Sequence, residues 1–490
     1  MPGVMAAITE TQTTTSAALL ADLRRIVGES WVLADPDDLL LYEYDGSVDR
    51  ALPDAVVFPD STAQVQAVVQ SALKHGVPVV ARGAGTGLSG GAIARCGGIV
   101  VATSRMNRIL EVDTRNRRAV VEPGVVNADL SAHTHRFSFH YAPDPSSQYA
   151  CTLGGNIATN AGGPHTLLYG VTTNHVLGIE FVTMDGRVVT TSALPDGPGY
   201  DLTGLFCGSE GTFGIVTQAV VQLVHTPAGV RTLLASFDSV PDCSAAVSGI
   251  VAAGIVPAAV EMMDQLALEA VSAFIPRANL PVDAAAVLLL DVDGVQAELN
   301  DREAEIRSVL LANEARDIRV ARNDAERNLF WLGRKSAFGA MGRISPDYYV
   351  QDGVIPRTTI AHVLDEIRRI SQSFDLPIAN VFHAGDGNLH PLLLFDNRVP
   401  GELDRVLDAG TAILQVCVDV GGMLSGEHGI GMEKQAAMPL VYSPDDLDAM
   451  RRVQQVFDPH ALFNPNKILP APVGCAEVNN LRRSASEASA

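Results

Sequence analysis

The sequence predicts an α+β protein: a two-part ligand-binding fold followed by an α+β cap. Three observations carry this. An apolar β-α-β pattern feeds a glycine loop at residues 80–91. Two further small-residue loops, 143–163 and 208–217, each lie beside a strand-like run. Near Pro227 the texture changes, and strands alternate with longer helices.

The elements follow in order. Residues 16–27 place Leu19, Leu20, Leu23, Ile26 and Val27 on one face of an amphipathic helix. Residues 42–54 read as loop, and 55–58 as a short buried strand. Pro59-Asp60-Ser61-Thr62 caps a helix carrying Val65, Val68, Val69, Ala72 and Leu73, which His75-Gly76 closes. Residues 77–81 return as a strand. Strand-like runs follow at 108–112 and 118–122, with a helix at 125–136. Residues 176–184 and 188–191 flank Asp185-Gly186, a hairpin signal, and 215–224 is a strand. Beyond Thr232 come a strand at 233–237, a helix through Ala253, a strand at 286–291 and a helix at 296–312. Short strands and loops fill 341–349, 378–395 and 421–431. The expected organisation is a helical segment (1–50), a cofactor domain (51–230), a cap (231–440), a C-terminal return to the first domain (441–470) and a disordered tail (471–490). No internal repeat is present.

The chain has 490 residues, 47% hydrophobic and 19% charged, which excludes wholesale disorder. A net charge of −21 argues against nucleic acid or an anionic membrane as principal partner. The six cysteines are scattered without C-x-x-C, so reduced thiols are expected and no iron–sulfur site. Residues 1–16 lack the basic and apolar regions of a signal peptide, and no apolar run approaches the roughly 20 residues that span a bilayer.

The first glycine loop reads as a phosphate cradle, because successive N–H groups in such a turn form an anion nest. Gly85, Gly87 and Gly90 satisfy G-x-G-x-x-G, with Glu111 and Asp113 roughly 20 residues on. A nicotinamide site, however, needs a helix directly after the loop. Here residues 91–98 run straight into Ile99-Val100-Val101-Ala102, leaving no room for one.

Three small-residue loops suit a large, flat diphosphate cofactor. On residues 82–91, 143–163 and 208–217 the chain resembles the FAD-binding family of the vanillyl-alcohol oxidase type. The resemblance implies FAD contacts from Arg82, Gly83, Ala84, Gly85, Thr86, Gly87, Leu88, Ser89 and Gly90. Further contacts are implied from Pro143, Asp144, Ser147, Gly154, Gly155, Asn156, Thr159, Asn160, Gly162 and Gly163, and from Glu210, Gly211, Gly214, Ile215 and Val216.

In the second half, Asn380 to His390 sets His383 and His390 at the two ends of a glycine turn, where a hairpin would bring the imidazoles together. Ser425-Gly426-Glu427-His428-Gly429-Ile430-Gly431 adds a carboxylate and a third imidazole. Two histidines and a carboxylate suit a divalent transition metal with open positions. Residue types alone leave a metal site and a hydrogen-bonded scaffold equally open. Adjacent side chains diverge, so Glu427 is assigned to the metal and His428 to proton transfer.

These two motifs resemble the paired signatures of the FAD-linked D-2-hydroxy-acid dehydrogenases, with similarity running from about residue 39 to 469. Residues 342–349 and 352–357 carry a narrower match to that family's glycolate oxidase branch. The resemblance implies a metal (Zn, Fe or Mn) held by His383, His390 and Glu427. It further implies His428 as general base, hydride transfer to flavin N5, and Arg334 as the fork that binds the substrate carboxylate. Without the resemblance, Arg334 reads as a solvated helix charge. Val350 stands where relatives acting on 2-hydroxyglutarate carry lysine, so a substrate with one carboxylate is expected, glycolate first and D-lactate second. Thr86 stands where covalent relatives carry histidine, so FAD is expected to be non-covalent.

The glycolate oxidase likeness also implies a second flavin-fold subunit and an iron–sulfur subunit, and a cytoplasmic protein peripheral to the inner face of the plasma membrane. A stand-alone dehydrogenase using a cytochrome or quinone fits equally. A metal-dependent hydrolase or lyase, with the glycine loops merely structural, is the alternative of a different class. A non-catalytic partner subunit is a third.

Overall fold

The computed structural model describes residues 16–191 and 199–470. The N-terminal leader, the tail and Cys475 fall outside them. The first sheet holds β1 (Val32–Leu33), β2 (Ala55–Val57), β3 (Val79–Arg82) and β4 (Ile99–Ala102), in the order β1-β2-β4-β3. β2 and β3 both run parallel to β4. The central strands β2 and β4 are buried on both faces and are unbroken Val, Ile and Ala runs. The helix Thr62–His75 crosses between β2 and β3 and stops at left-handed Gly76. β3 then delivers the glycine loop at its C-terminal end, and no helix follows the loop before β4.

Next come β5 (Ile109–Asp113), β6 (Arg118–Val121), β7 (Phe139–His140), β8 (Val176–Val182), β9 (Val188–Thr190), β10 (Ile215–Gln222) and β11 (Val224–His225). Five of them make an antiparallel sheet, β5-β6-β10-β8-β9, while β7 pairs with β11. The Asp185-Gly186 hairpin joins β8 to β9 as expected.

The second half is organised by β12 (Gly229–Phe237), β13 (Ala259–Asp264), β14 (Ala286–Gly294), β15 (Asp317–Val320), β16 (Asp347–Val350), β17 (Gly353–Val354), β18 (Ile378–His383), β19 (Asn388–Leu389) and β20 (Pro391–Phe395). The main path is β15-β12-β14-β13-β18-β19-β17, and β20 joins β16 to β18. Alternate residues feed two cores. Leu233, Ala235, Phe237, Leu288 and Leu290 pack with the helices Val240–Ala252, Gln296–Ala312, Ile360–Phe374 and Glu402–Asp419. Leu234, Val287 and Leu289 pack with Gln265–Phe274, Asp324–Lys335 and Ala337–Ala340. The period of two sends successive side chains to opposite layers.

Three expectations need correction. The second glycine block is not loop throughout: Leu153–Thr159 is a helix, N-capped by Thr152, whose Oγ1 accepts from Gly155 N–H at 3.4 Å. Burial of Leu153 and Ile157 against the antiparallel sheet outweighs the poor helix propensity of Gly154-Gly155. The strand β13 went unread, because Glu261 interrupts its apolar run. Cys151, Cys207, Cys243 and Cys417 are free, but Cys96 is disulfide-bonded.

Candidate active site

The hairpin forms where the histidine spacing places it. His383 closes β18 and pairs with Asn388 of β19. The turn between them is tight: a Cβ on Gly387, whose φ is +78°, would lie 2.1 Å from the Ile355 carbonyl oxygen. The His383 and His390 rings come to 5.0 Å between centroids. β13 lies alongside β18 with Glu261 directly opposite His383. Glu261 Oε1 is 2.7 Å from His383 Nδ1, and Glu261 Oε2 is 2.6 Å from Arg334 Nη2. Burial alone would raise the Glu261 pKa, but the Arg334 and His383 charges hold it below the usual carboxylate range. Arg334, expected to be solvated on residue type alone, is buried.

The 425–431 turn is organised by Asp352, which is fully buried. Its carboxylate accepts from Ser425 Oγ at 2.5 Å and from the N–H groups of Gly426, Glu427 and His428 at 3.0 to 3.2 Å. Lys434 Nζ, also buried, lies 3.2 Å away. Burial would raise the Asp352 pKa, and the Lys434 charge holds it well below the ordinary value. The turn so held aims Glu427 Oε1 to 3.3 Å from His383 Nε2 and 3.2 Å from His390 Nε2. His428 stacks on His390 with 4.8 Å between centroids, and its Nε2 is 3.8 Å from Glu427 Oε1. Burial pushes the His428 pKa down to about 4, so its ring is neutral.

A cavity of about 370 Å³ joins this cluster to the glycine loops. Of the predicted residues, Gly83, Ala84, Gly85, Thr86, Gly87, Leu88, Ser89, Ser147, Gly155, Asn156, Thr159, Glu210 and Gly211 line it, together with Arg334, His390, Glu427 and His428. Arg82, Gly154, Gly214, Ile215 and Val216 line a smaller cleft of about 60 Å³, which shares Gly83, Gly155 and Gly211 with the first. Gly90, Pro143, Asp144, Asn160, Gly162, Gly163 and His383 line neither. Asp144 receives His165 Nδ1 at 2.9 Å. Asn160 caps the Leu153–Thr159 helix. Gly162 backs Glu427, where a Cβ would meet Oε2 at 2.8 Å. Glu210 reaches the cavity, but its carboxylate accepts from the N–H groups of Ile430 and Gly431, joining the third glycine loop to the His428 turn.

The residues present fit both FAD and a divalent cation. A side chain added at Gly87 or Gly91 would meet nothing within 4 Å, which leaves the loop backbone open to a phosphate. For a cation, His383, His390 and Glu427 each offer one donor atom within 4.8 Å of the others. Both ring nitrogens of buried His390 lack a hydrogen-bond partner, although Nε2 lies close to Glu427. Proximity without hydrogen-bond direction suits two ligands facing one cation. Glu261 on His383 Nδ1 leaves Nε2 for that cation.

Sequence reasoning missed Glu261, Asp352, Lys434, Asn464 and Lys467. A carboxylate in the apolar run 258–263 was the available signal for Glu261, since such a group needs a buried partner.

The α+β fold opens a glycine-lined cleft onto a His/His/Glu cluster, and the family matches give its class as an FAD-linked oxidoreductase. Residues 226–468 match the family described as FAD linked oxidases, C-terminal domain, and residues 53–192 match the FAD binding domain. The chain belongs to the FAD-linked oxidases. It is 47% identical over 462 residues to the glycolate oxidase subunit GlcD of Escherichia coli strain K12, covering 94% of this chain and 92% of the relative. It is 32% identical to a D-lactate dehydrogenase of Anaerostipes hadrus, covering 86% of this chain and 90% of the relative. Its fold is similar to that of p-cresol methylhydroxylase with substrate bound, at a TM-score of 0.78 and 17% identity, covering 92% of this chain and 96% of the other.

Proposed function

We propose that this chain oxidises a small D-2-hydroxy acid to the 2-oxo acid, with glycolate the favoured substrate and D-lactate the second. One observation carries the reading: Arg334, His390, Glu427 and His428 line the same cavity as the glycine loops. In this division of labour residues 51–230 hold the cofactor, residues 231–440 supply the substrate groups, and 441–470 return to the first part.

FAD, when bound, supplies the two-electron acceptor for the substrate's α-hydrogen. We read FAD as held non-covalently, because Thr86 stands where covalent relatives carry histidine. His383 Nε2, His390 Nε2 and Glu427 would hold a divalent cation, Zn, Fe or Mn, whose chemistry there is Lewis-acid polarisation of substrate oxygens. Arg334 binds the carboxylate; Nη2 forms an ion pair with Glu261 at 2.6 Å, but neither it nor Nε, both buried, makes a directed hydrogen bond. His428, neutral because buried, takes the hydroxyl proton at Nε2 while the α-hydrogen leaves with its electron pair. Asp352 and Lys434 keep the turn from drifting as that proton arrives.

Electrons pass onward to a second flavin-fold subunit and an iron–sulfur subunit, at the inner face of the plasma membrane. The naming of the Escherichia coli relative as a subunit supports an assembly of more than one chain, and no helix among the described residues is long and apolar enough to cross a membrane.

The test is dye-coupled oxidation by FAD-loaded protein. His428→Ala should lower kcat for glycolate by 10²-fold or more while FAD stays bound. Full activity in that variant would reject His428 as base. Activity toward an ester or amide, with none toward 2-hydroxy acids, would favour a metal-dependent hydrolase.

A further inference from the structure

Building on that reading, we infer that Phe338 sets the length of side chain the substrate carries on its α-carbon. Almost every residue lining the main cavity is small or polar, and Phe338 is the one phenyl ring among the described residues that line it. Its place follows from the chain path. The helix Asp324–Lys335 ends at Ser336, which keeps right-handed helical angles, and Ala337–Ala340 resumes the helix. Arg334 and Phe338 are therefore four residues apart on one nearly continuous helical path and share a face. At the cavity, the Phe338 ring meets His390 edge-on, with 6.2 Å between centroids and 90° between planes.

The ring is braced from behind. Tyr348 packs against it at 6.3 Å and 61°, and both rest on the core that includes Ala337, Ala340, Met341 and Val350. A carboxylate paired with Arg334 and an α-hydroxyl turned toward His390 and Glu427 leave the α-substituent in the space between two anchors that Phe338 flanks. Hydrogen or methyl fits there. A longer alkyl chain must overlap the ring unless the ring shifts against Tyr348.

The measurement is anaerobic reduction of the FAD-loaded full chain by glycolate, D-lactate, D-2-hydroxybutyrate and D-2-hydroxyvalerate, in wild type and in Phe338→Ala, Phe338→Leu and Phe338→Trp. The readout is the ratio of the second-order rate constant for flavin reduction by each longer acid to that for glycolate, which a general loss of activity leaves unmoved. Phe338→Ala should raise the D-2-hydroxyvalerate ratio about 10-fold or more, Phe338→Leu should raise it less, and Phe338→Trp should lower the D-lactate ratio. If Phe338→Ala does not fold, the leucine and tryptophan variants decide by their opposite directions. Unchanged ratios in an enzyme that glycolate reduces would overturn the inference and leave the proposed function standing. If no 2-hydroxy acid reduces the wild-type flavin, the proposed function fails and the inference falls with it.

Discussion

At the scale of single residues, the site depends on groups that never meet a substrate. Glu261 holds His383 and Arg334 at once, one on each carboxylate oxygen. Glu261→Gln keeps the shape but removes the charge both partners face. It should weaken divalent-metal affinity 10–100-fold and raise KM for glycolate, as measured by metal titration and initial rates. Asp352→Ala should leave Lys434 a buried, unpaired charge and destabilise by about 3–5 kcal/mol, seen as a lower Tm by calorimetry. His383, His390, Glu427 and His428 were legible in the sequence because histidines beside glycine turns stand out chemically. Glu261 and Asp352 were not, because their partners lie far away in sequence and only strand register brings them together.

At the scale of elements, residues 461–468 act as a clasp. Ala461, Asn464, Asn466 and Ile468 all take positive φ, and for β-branched Ile468 this is rare. Phe463 bridges to Val79 at the open edge of β3. Asn464 Nδ2 donates to the carbonyls of Gly91 and Glu210, Lys467 Nζ to those of Gly90 and Ile93, and Ile468 N–H to Gly431 O. One short segment thus fixes two glycine loops and the His428 turn. Asn464→Ala should raise the Kd for FAD several-fold, as read from flavin fluorescence on titration of apoprotein; an unchanged Kd would mean the loops hold themselves. The side-chain hydrogen bonds of Asn464 and Lys467 were not legible in the sequence, because their partners lie 254 to 377 residues away. The Leu153–Thr159 helix was misread for a related reason: local glycine content says loop, and burial against a distant sheet decides otherwise.

For the whole molecule, the halves meet through buried polar contacts as well as packing. His165, just past the second glycine block, donates to Asp144 and stacks on Trp331 of the second half at 5.5 Å, while Tyr169 Oη donates across the halves to Asp293 at 2.6 Å. Burial would lower the His165 pKa, but the Asp144 charge outweighs it and raises it to about 9. A raised histidine pKa stabilises fully below the unfolded value near 6.5, and that contribution is lost as pH rises through about 9. His165→Gln should therefore lower Tm most near pH 6 and progressively less toward pH 9.5; a pH-independent difference would reject the linkage. The α+β class and the β-α-β unit before the first glycine loop were legible from periodicity, whereas the helices Gln265–Phe274, Ile360–Phe374 and Glu402–Asp419 went unread and the meeting of the two halves around one cavity entered through resemblance of the motifs. That meeting is the central claim, and anaerobic flavin spectroscopy tests it most directly. The FAD-loaded protein should be bleached rapidly by glycolate or D-lactate and not by L-lactate. A bound flavin that none of the three reduces, with metal supplied, would contradict it.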